Sequence, residues 1–527
     1  MSSNRRVILG DMSAIRASGI DFFEDNYYWP VSDNEFNEFS KNFHKKYVNL
    51  LLDITNDDLF NIALIEMSFI EKLVQILHFN YIKEYSNKHQ VELLCGEDSI
   101  SFREPDWNQI GSFYSNSFFP FGKFKRTLRR VIKNIIFNKH LSLIPYLKGF
   151  FAKNSAISIG SMDVFKKEFI KKKKIFVNYY DWIDLINTQK VNNNSQLDVK
   201  FFEDAIINKF FNSIESDNSL FLHNIDLSEI KLAWKQRFLD ILNLYGKIHI
   251  NEKAKMLLVS DMAKPHAKLI TIAYQSIGSD VYCFHHGNDA CYSNQEVSHQ
   301  STVSHANFFI TPSDGIKNIY ENFYSKLPIE KRCGTKYISI NTNFYSDLYA
   351  DYNSKDKSEV NKIMLVGFPF DPSRYDIENN LFFYKILLLE YQLIKTLKDE
   401  GFYVIYKAHP DRLSEVQGLF NDLVNEYLSE PFELVWRSAD LILFTYTSTT
   451  TFGFALTTSL PIILIDSATD NRDRKERKQM EGRVNIVDAK VDAKMKIVFN
   501  KEDLISKIQN NSYSFQYVDR ILGHKKL

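Results

Sequence analysis

The feature that most constrains this chain is a repeated unit: a short apolar run that ends abruptly in polar residues and is followed by a helical segment. It is clearest over residues 402–466. FYVIYKAHPDR is followed by a helical stretch, and then by ADLILFTYTSTTTFGFALTTSLPIILID. Such alternation reads as strand–helix–strand units and hence a parallel sheet. In parallel α/β sheets ligands bind beyond the carboxyl ends of the strands. Here those ends carry Lys407, His409 and Pro410 after the first run, and Thr447, Ser448, Thr449 and Thr450 after the second. Hydroxyls at a helix start are suited to holding a phosphate on free backbone N–H groups; they also serve as plain N-caps.

The same pattern recurs upstream. RVILGD (6–11) reads as an opening strand ending on Asp11, and VELLC (91–95) as a second. Residues 33–86 carry helical spacing between them. KIFVNYY (174–180), KMLLVSD (255–261), DVYCFHHGND (280–289), the strand opening 306–327 and KYISIN (336–341) are further strands. Helices are expected at 200–213, 227–247 and 264–278, with Pro265 in the first turn of the last and Gly278 as its stop. Residues 105–123 and 190–196 read as loops, and the polar stretch 342–360 as a linker. After it come strand 361–371, helix 383–400, strand 402–407, helix 413–429, strand 440–446, helix 449–458 and strand 461–465.

A chain of 527 residues exceeds one ordinary core. The expected organisation is an N-terminal α/β unit with helical insertions at 1–350, a C-terminal α/β unit at 351–500, and a helix at 501–527 packing back on the first unit. The fold class is α/β, with two Rossmann-type parallel domains facing each other across a cleft.

Composition excludes several classes. Hydrophobic residues make up 44% and charged residues 25%, the balance of a globular chain. Lys+Arg and Asp+Glu are 65 each, so charge does not point to nucleic acid. The four cysteines, Cys95, Cys283, Cys291 and Cys333, form no C-x-x-C pair, so no zinc site or disulfide framework is expected and a reducing, cytoplasmic setting fits. No leader and no membrane span are expected. Two basic runs stand out: KFKRTLRRVIKNIIFNKH (123–140), with amphipathic spacing, and KKEFIKKKK (166–174). They are solvated faces, or they dock on an anionic membrane surface, the cytoplasmic face of the inner membrane, or they meet an anionic glycan.

Two clusters in the first half complete the candidates. Ser260-Asp261 ends KMLLV, where a carboxylate facing a cleft serves as base or nucleophile, or caps the next helix. His285-His286-Gly287-Asn288-Asp289 ends the next strand; adjacent His in a strand point to opposite sides, and no third ligand has metal spacing. Neither the dinucleotide nor the P-loop glycine pattern is present.

Taken together, Lys-x-His-Pro-Asp, then Thr-Ser-Thr-Thr-x-x-Gly-Phe-Ala-Leu and Leu-Pro-Ile-Ile-Leu, resemble the C-terminal half of bacterial surface-polysaccharide glycosyltransferases of GT-B type. In particular they are similar to the β-Kdo transferases of capsule and O-antigen assembly. Polysialyltransferases and teichoic-acid polyol-phosphate transferases share weaker versions of these signatures. The resemblance implies a CMP-activated ulosonic acid as donor and a polysaccharide or lipid-linked glycan as acceptor. It implies no cofactor and no metal. Lys407, His409, Pro410, Thr447, Ser448, Thr449 and Thr450 would hold CMP. Asp261 would be the catalytic carboxylate of a retaining reaction, with His286 as its catalytic partner, and His285, Asn288 and Asp11 would lie on the acceptor side. Where the family pattern follows the Asp with Gln-Thr, this chain has Met262-Ala263. A CDP-polyol phosphotransferase and a catalytically inactive glycan-binding subunit are the alternatives.

Overall fold

A computed structural model describes residues 6–96, 105–107, 123–141, 156–186 except 162, 195–215, 219–248, 250, 254–260, 262, 264–285, 296–342, 359–368, 383–409, 413–420, 423–447, 449–467 and 474–523. Asp261, His286, Asn288, Pro410 and Ser448 lie outside the described residues. So do residues 343–358 of the expected linker at 342–360 and most of both expected loops.

The N-terminal segment forms its own small layer. Strand β1 (Val7–Leu9) pairs in parallel with β2 (Glu92–Leu94). Five helices lie between them: two short ones, Met12–Ser18 and Ile20–Asn26, then Asp33–Leu52, Asp57–Ile65 and Met67–His89. Ser32 and Glu35 close a reciprocal capping box at the start of Asp33–Leu52, which satisfies two otherwise orphaned N–H groups. The insertion helix Leu227–Tyr245 contributes Trp234, fully buried against Tyr47, Phe69, Phe210 and Phe238. Much of the high aromatic content is used here, as core.

The first large sheet contains β3 (Ala156–Ile159), β4 (Val177–Tyr179), β5 (Met256–Val259), β6 (Asp280–Phe284), β7 (Phe308–Thr311) and β8 (Lys336–Ser339). Its strand order is β4-β3-β5-β6-β7-β8 and every pairing is parallel. The chain moves outward from β3 to β4, then returns to the other side of β3 with β5. The switch point therefore lies between β3 and β5.

The second sheet contains β9 (Lys362–Val366), β10 (Tyr403–Lys407), β11 (Glu426–Leu428), β12 (Leu441–Phe444), β13 (Ile462–Asp466), β14 (Val484–Val491) and β15 (Ile497–Phe499). The order is β11-β10-β9-β12-β13-β14-β15, parallel except for the β14–β15 edge. In chain order this is 3-2-1-4-5-6 plus one antiparallel strand, the doubly wound arrangement, with its switch point between β9 and β12. The central strands are covered on both faces, so they read as continuous apolar runs: KIMLV, LILF, IILID. Two Rossmann-type parallel α/β units are thus present, as expected.

One expected element is different. The helix at 413–429 is only Leu413–Val416, and residues 426–428 form β11, pairing with β10. Gly418, at φ 90°, takes a left-handed conformation that ends the helical path. The apolar residues Leu419, Phe420, Leu423 and Val424 nonetheless keep near-helical spacing, and Phe420 packs on Tyr406.

The ends of the chain tie the units together. Tyr391, on helix Phe383–Asp399, donates to Asp21, and Lys496 donates to the Glu24 carbonyl at 2.5 Å. The C-terminal helix Gln516–Leu522 packs on helix Asp314–Tyr324 of the first unit, where Ser313 donates to the Ile521 carbonyl. Gly315 makes this approach possible: a Cβ there would stand 1.9 Å from the Arg520 carbonyl oxygen.

Candidate functional site

At the switch point of the second sheet three strand ends stop level. Lys407 of β10 and Phe444 of β12 are both in register with Val366 of β9. The residues that follow, Gly367-Phe368, Ala408-His409 and Thr445-Tyr446-Thr447, therefore form one rim. With strands about 4.8 Å apart, the Lys407 and Thr445 backbones face each other over roughly 10 Å, with β9 between them.

Beneath this rim is a buried carboxyl that sequence reading overlooks. Glu390 sits on helix Phe383–Asp399 and is fully buried. Its Oε1 accepts the Phe368 N–H at 2.8 Å and the Thr445 hydroxyl at 3.4 Å, and its Oε2 accepts the Tyr406 hydroxyl at 2.7 Å. Burial pushes its pKa up to about 8, against the opposing effect of these three donors. Glu390 thus fastens the ends of β9, β10 and β12 to one point. Gly367 is needed for this: a Cβ there would lie 2.2 Å from the Tyr406 hydroxyl. The available signal was one acid inside the otherwise apolar KILLLEYQLI.

The hydroxyl cluster divides its work. Thr445 points to Glu390, and Tyr446 donates to the Gly367 carbonyl at 3.3 Å. Thr449 is the N-cap of helix Thr450–Leu456: its side chain accepts from Thr451 N–H and its own N–H donates to the Thr447 carbonyl. Thr447 is buried, Thr449 and Thr450 are half-buried. The N-cap role that sequence reading left open is therefore filled, by Thr449. Lys407 is buried, its ammonium donating to the Ala408 carbonyl. Desolvation lowers its pKa, opposed by Glu430 and Glu433. His409 is exposed at the rim.

The candidates of the first unit are placed differently. Asp11 is buried as the cap of helix Met12–Ser18; its Oδ1 accepts from Ala14 N–H at 2.8 Å and Gly96 N–H at 2.9 Å, joining the ends of β1 and β2. His285 is buried at the end of β6 among Phe165, Phe309 and Tyr320, with Nε2 2.9 Å from the Tyr320 hydroxyl. Both side chains hold structure together where they stand.

What the first sheet offers at its own switch point is a cavity of about 280 Å³, lined by Arg129, Lys133, Gly160, Ser161, Tyr179, Asp181, Trp182, Lys264 and His266 among others. Arg129 and Lys133 come from helix Lys123–Asn138, which covers the edge of β4: Asn134 and Asn138 accept the Tyr179 and Val177 N–H groups through their side-chain oxygens. Behind the cavity floor is Lys166, fully buried, its ammonium donating to the Ile159 and Ser161 carbonyls and the Ser260 hydroxyl. Burial lowers its pKa to about 7. The basic runs 123–140 and 166–174 are thus not wholly solvated faces. Among the described residues no group of three or more His, Cys, Asp or Glu could hold a metal ion.

No family model and no curated protein matches this chain. Distant likenesses exist among solved structures. One is to the Methanocaldococcus jannaschii UDP-GlcNAc 2-epimerase, 16% identical, covering 71% of this chain and 93% of that one, with a TM-score of 0.36. A second is to a UDP-glucosyltransferase from Polygonum tinctorium (10%; 70% and 91%; 0.33), and a third to the wall teichoic acid polymerase TagF (12%; 77% and 92%; 0.29). At such TM-scores the likenesses carry no argument, and the fold is read from the strand order itself.

Proposed function

We propose that this chain is a glycosyltransferase that moves a ulosonic acid, Kdo or a relative, from its CMP-activated donor to a surface polysaccharide or glycolipid. The observation that carries the reading is the level rim of the second sheet. There the cation of β10 and the threonines after β12 flank the open end of β9, at the topological switch point. Lys407 and the Thr447–Thr450 turn would neutralise the CMP phosphate as it leaves, and His409 stands at the rim to reach it. Departure from a tertiary anomeric carbon gives an oxocarbenium-like transition state, and donors aimed at the leaving phosphate lower that barrier. Asp261 follows β5 in sequence and is the carboxylate proposed to face the cation, and His286 is proposed as its catalytic partner. The choice of CMP over other nucleotides comes from the sequence resemblance.

The test is direct. The protein is titrated with CMP, then incubated with CMP-Kdo, CMP-sialic acid and CDP-glycerol in turn, with glycan acceptors, following CMP release. CMP release from a CMP-ulosonate is expected. Lys407→Ala is expected to lower kcat/KM about 100-fold, the scale of one lost transition-state donor. Release of CMP from CDP-glycerol alone would replace this reading with the phosphotransferase, and no release from any donor would end it.

The reading includes docking at an anionic membrane surface. Helix Lys123–Asn138 presents Leu128, Val131, Ile132, Ile135 and Ile136 outward, each between 42% and 57% exposed, with Arg130 and Lys139 nearby. An apolar stripe flanked by cations suits the headgroup boundary of acidic lipids. No helix among the described residues is long and apolar enough to cross a membrane. The protein is expected to co-sediment with phosphatidylglycerol-containing vesicles and not with purely zwitterionic ones. Ile132→Glu with Ile135→Glu should abolish binding; unchanged sedimentation of this variant would remove the helix from the account.

A further inference from the structure

We propose that the 280 Å³ cavity of the first unit is a binding site for an acidic monosaccharide unit, its carboxylate or phosphate held by Arg129, Lys133 and Lys264 and its ring set against Trp182. This names the substrate class on the acceptor side, and the word acceptor rests on the transferase reading; the binding does not.

Position is the first argument. The chain reverses its winding between β3 and β5, and the cavity opens at the carboxyl ends of those two strands, with Gly160 and Ser161 after one and Lys264 and His266 after the other. A reversal of winding leaves a crevice that no crossover helix covers, which is why ligands collect at such points.

Charge is the second. Three long cations and His266 line a cavity with one acid, Asp181. That acid is engaged: Tyr179 donates to its Oδ1 at 2.7 Å. Lys133 in turn donates to the Tyr179 oxygen at 2.5 Å and stands 3.9 Å from the centre of its ring. The ammonium is therefore held in one place at the wall. Desolvation, then Arg129, lower its pKa to about 8, so its cationic form gains from any anion that arrives. Lys166 lies fully buried behind Ser161 and fixes that loop from below. Arg129 and Lys264 line the cavity while staying exposed, and Lys133 is half-buried at its wall.

Shape is the third. At about 280 Å³ the cavity is just under the roughly 300–1,000 Å³ of sites for drug-sized ligands, enough for one sugar ring and short of a nucleotide sugar. Trp182 and His266 stack at 4.1 Å between ring centres, 23° from parallel, giving a flat aromatic wall. Such a wall suits the C–H face of a pyranose, while the cations take its acid group.

The full-length protein should be titrated by calorimetry with methyl glucuronide, free Kdo, glucose 6-phosphate, methyl glucoside and inorganic phosphate, and separately with CMP. Acidic sugars are expected to bind at least tenfold more tightly than methyl glucoside. The uronate and sugar-phosphate arms tell which acid group the site prefers. Arg129→Met with Lys133→Met should weaken acidic-sugar binding at least tenfold and leave CMP binding unchanged, which also reports that the variant is folded. Trp182→Ala should weaken the sugars and leave inorganic phosphate unaffected. Equal affinity for neutral and acidic sugars, inorganic phosphate bound as well as the sugar phosphate, or acidic-sugar binding untouched by the double substitution would each overturn the proposal. Loss of CMP binding in the unaltered protein, with acidic sugars still bound, would instead remove the donor reading.

Discussion

Arg483→Met is expected to lower the stability of the second unit by about 4 kcal/mol. Arg483 is fully buried. Its Nε donates to the Leu456 carbonyl at 2.8 Å, and its Nη2 to those of Ala455, Thr458 and Leu460 at 3.1, 2.8 and 3.1 Å. These carbonyls belong to the last turn of helix Thr450–Leu456 and the bend into β13. There helix carbonyls run out of partners and the dipole favours a cation. Tyr513 and Phe515 enclose the guanidinium, with ring centres 4.8 and 5.2 Å from Cζ. Methionine keeps the apolar contact and donates nothing. The Ala455 carbonyl keeps the Thr458 N–H and hydroxyl as donors; the Leu456, Thr458 and Leu460 carbonyls lose theirs, at about 1–3 kcal/mol each, which together reaches the upper range for a point change. Urea denaturation and hydrogen exchange over 441–466 measure it. Arg483→Lys should restore only part of the loss, because an ammonium cannot spread over four acceptors in a planar fork. An unshifted midpoint in the methionine variant would show that these carbonyls do not depend on Arg483. The helix it anchors begins at the threonine turn, so nucleotide binding should weaken in parallel.

Glu390→Gln is expected to act in the opposite sense, increasingly as pH rises from about 4.5 to 8. Burial raises the Glu390 pKa from 4.5 to about 8. A carboxyl whose pKa is raised by folding holds more protons in the folded state than in the unfolded one. Its contribution is thus complete below about pH 4.5 and is lost as pH climbs through 8. By pH 9 the loss is on the order of 5 kcal/mol. Glutamine keeps an oxygen for the Phe368 N–H and never ionises. The variant should match the parent near pH 5 and exceed it at pH 9. Lys166 and Lys385, both lowered to about 7 by burial, tilt the parent's own profile the other way, gaining stability from about pH 7 to 10. The difference between parent and variant removes their shared slope. Because the carboxyl fastens Phe368 and Thr445 below the rim, its ionisation also places a negative charge under the phosphate position. Affinity for CMP should therefore fall above pH 8 in the parent and stay level in the variant. Parallel stability profiles for the two proteins would refute the buried-acid account.

The legible part of this molecule was its regular part. KIMLV, YVIYK, LILF and IILID read as strands because each is covered on both faces, and their alternation with helices already implied parallel sheets. Pro265 opens its helix, and Gly278 lies just beyond its end, at φ 84°. β11 was hidden because an edge strand of three half-buried residues carries little apolar signal, while its neighbours Leu419, Phe420, Leu423 and Val424 imitate a helix. The threonine cluster was found as a cluster, but the division of its hydroxyls among capping, the Gly367 carbonyl and Glu390 was not visible in their order.

By itself, then, the sequence determined most of the strands, though not β3, β11, β14 or β15, that they lie in parallel in two units, and which polar residues stand at strand ends. These follow from local periodicity and from what each turn must satisfy. Only the tertiary structure decided that Lys407 and the threonines face each other across β9, that Glu390 ties three strands together beneath them, that Asp11 caps a helix and His285 meets Tyr320, and that Arg129, Lys133, Lys264 and Trp182 surround one cavity. Each of these depends on side chains far apart in the chain meeting at a switch point. Strand order, not strand identity, creates such a point, and strand order is set by the packing of whole elements.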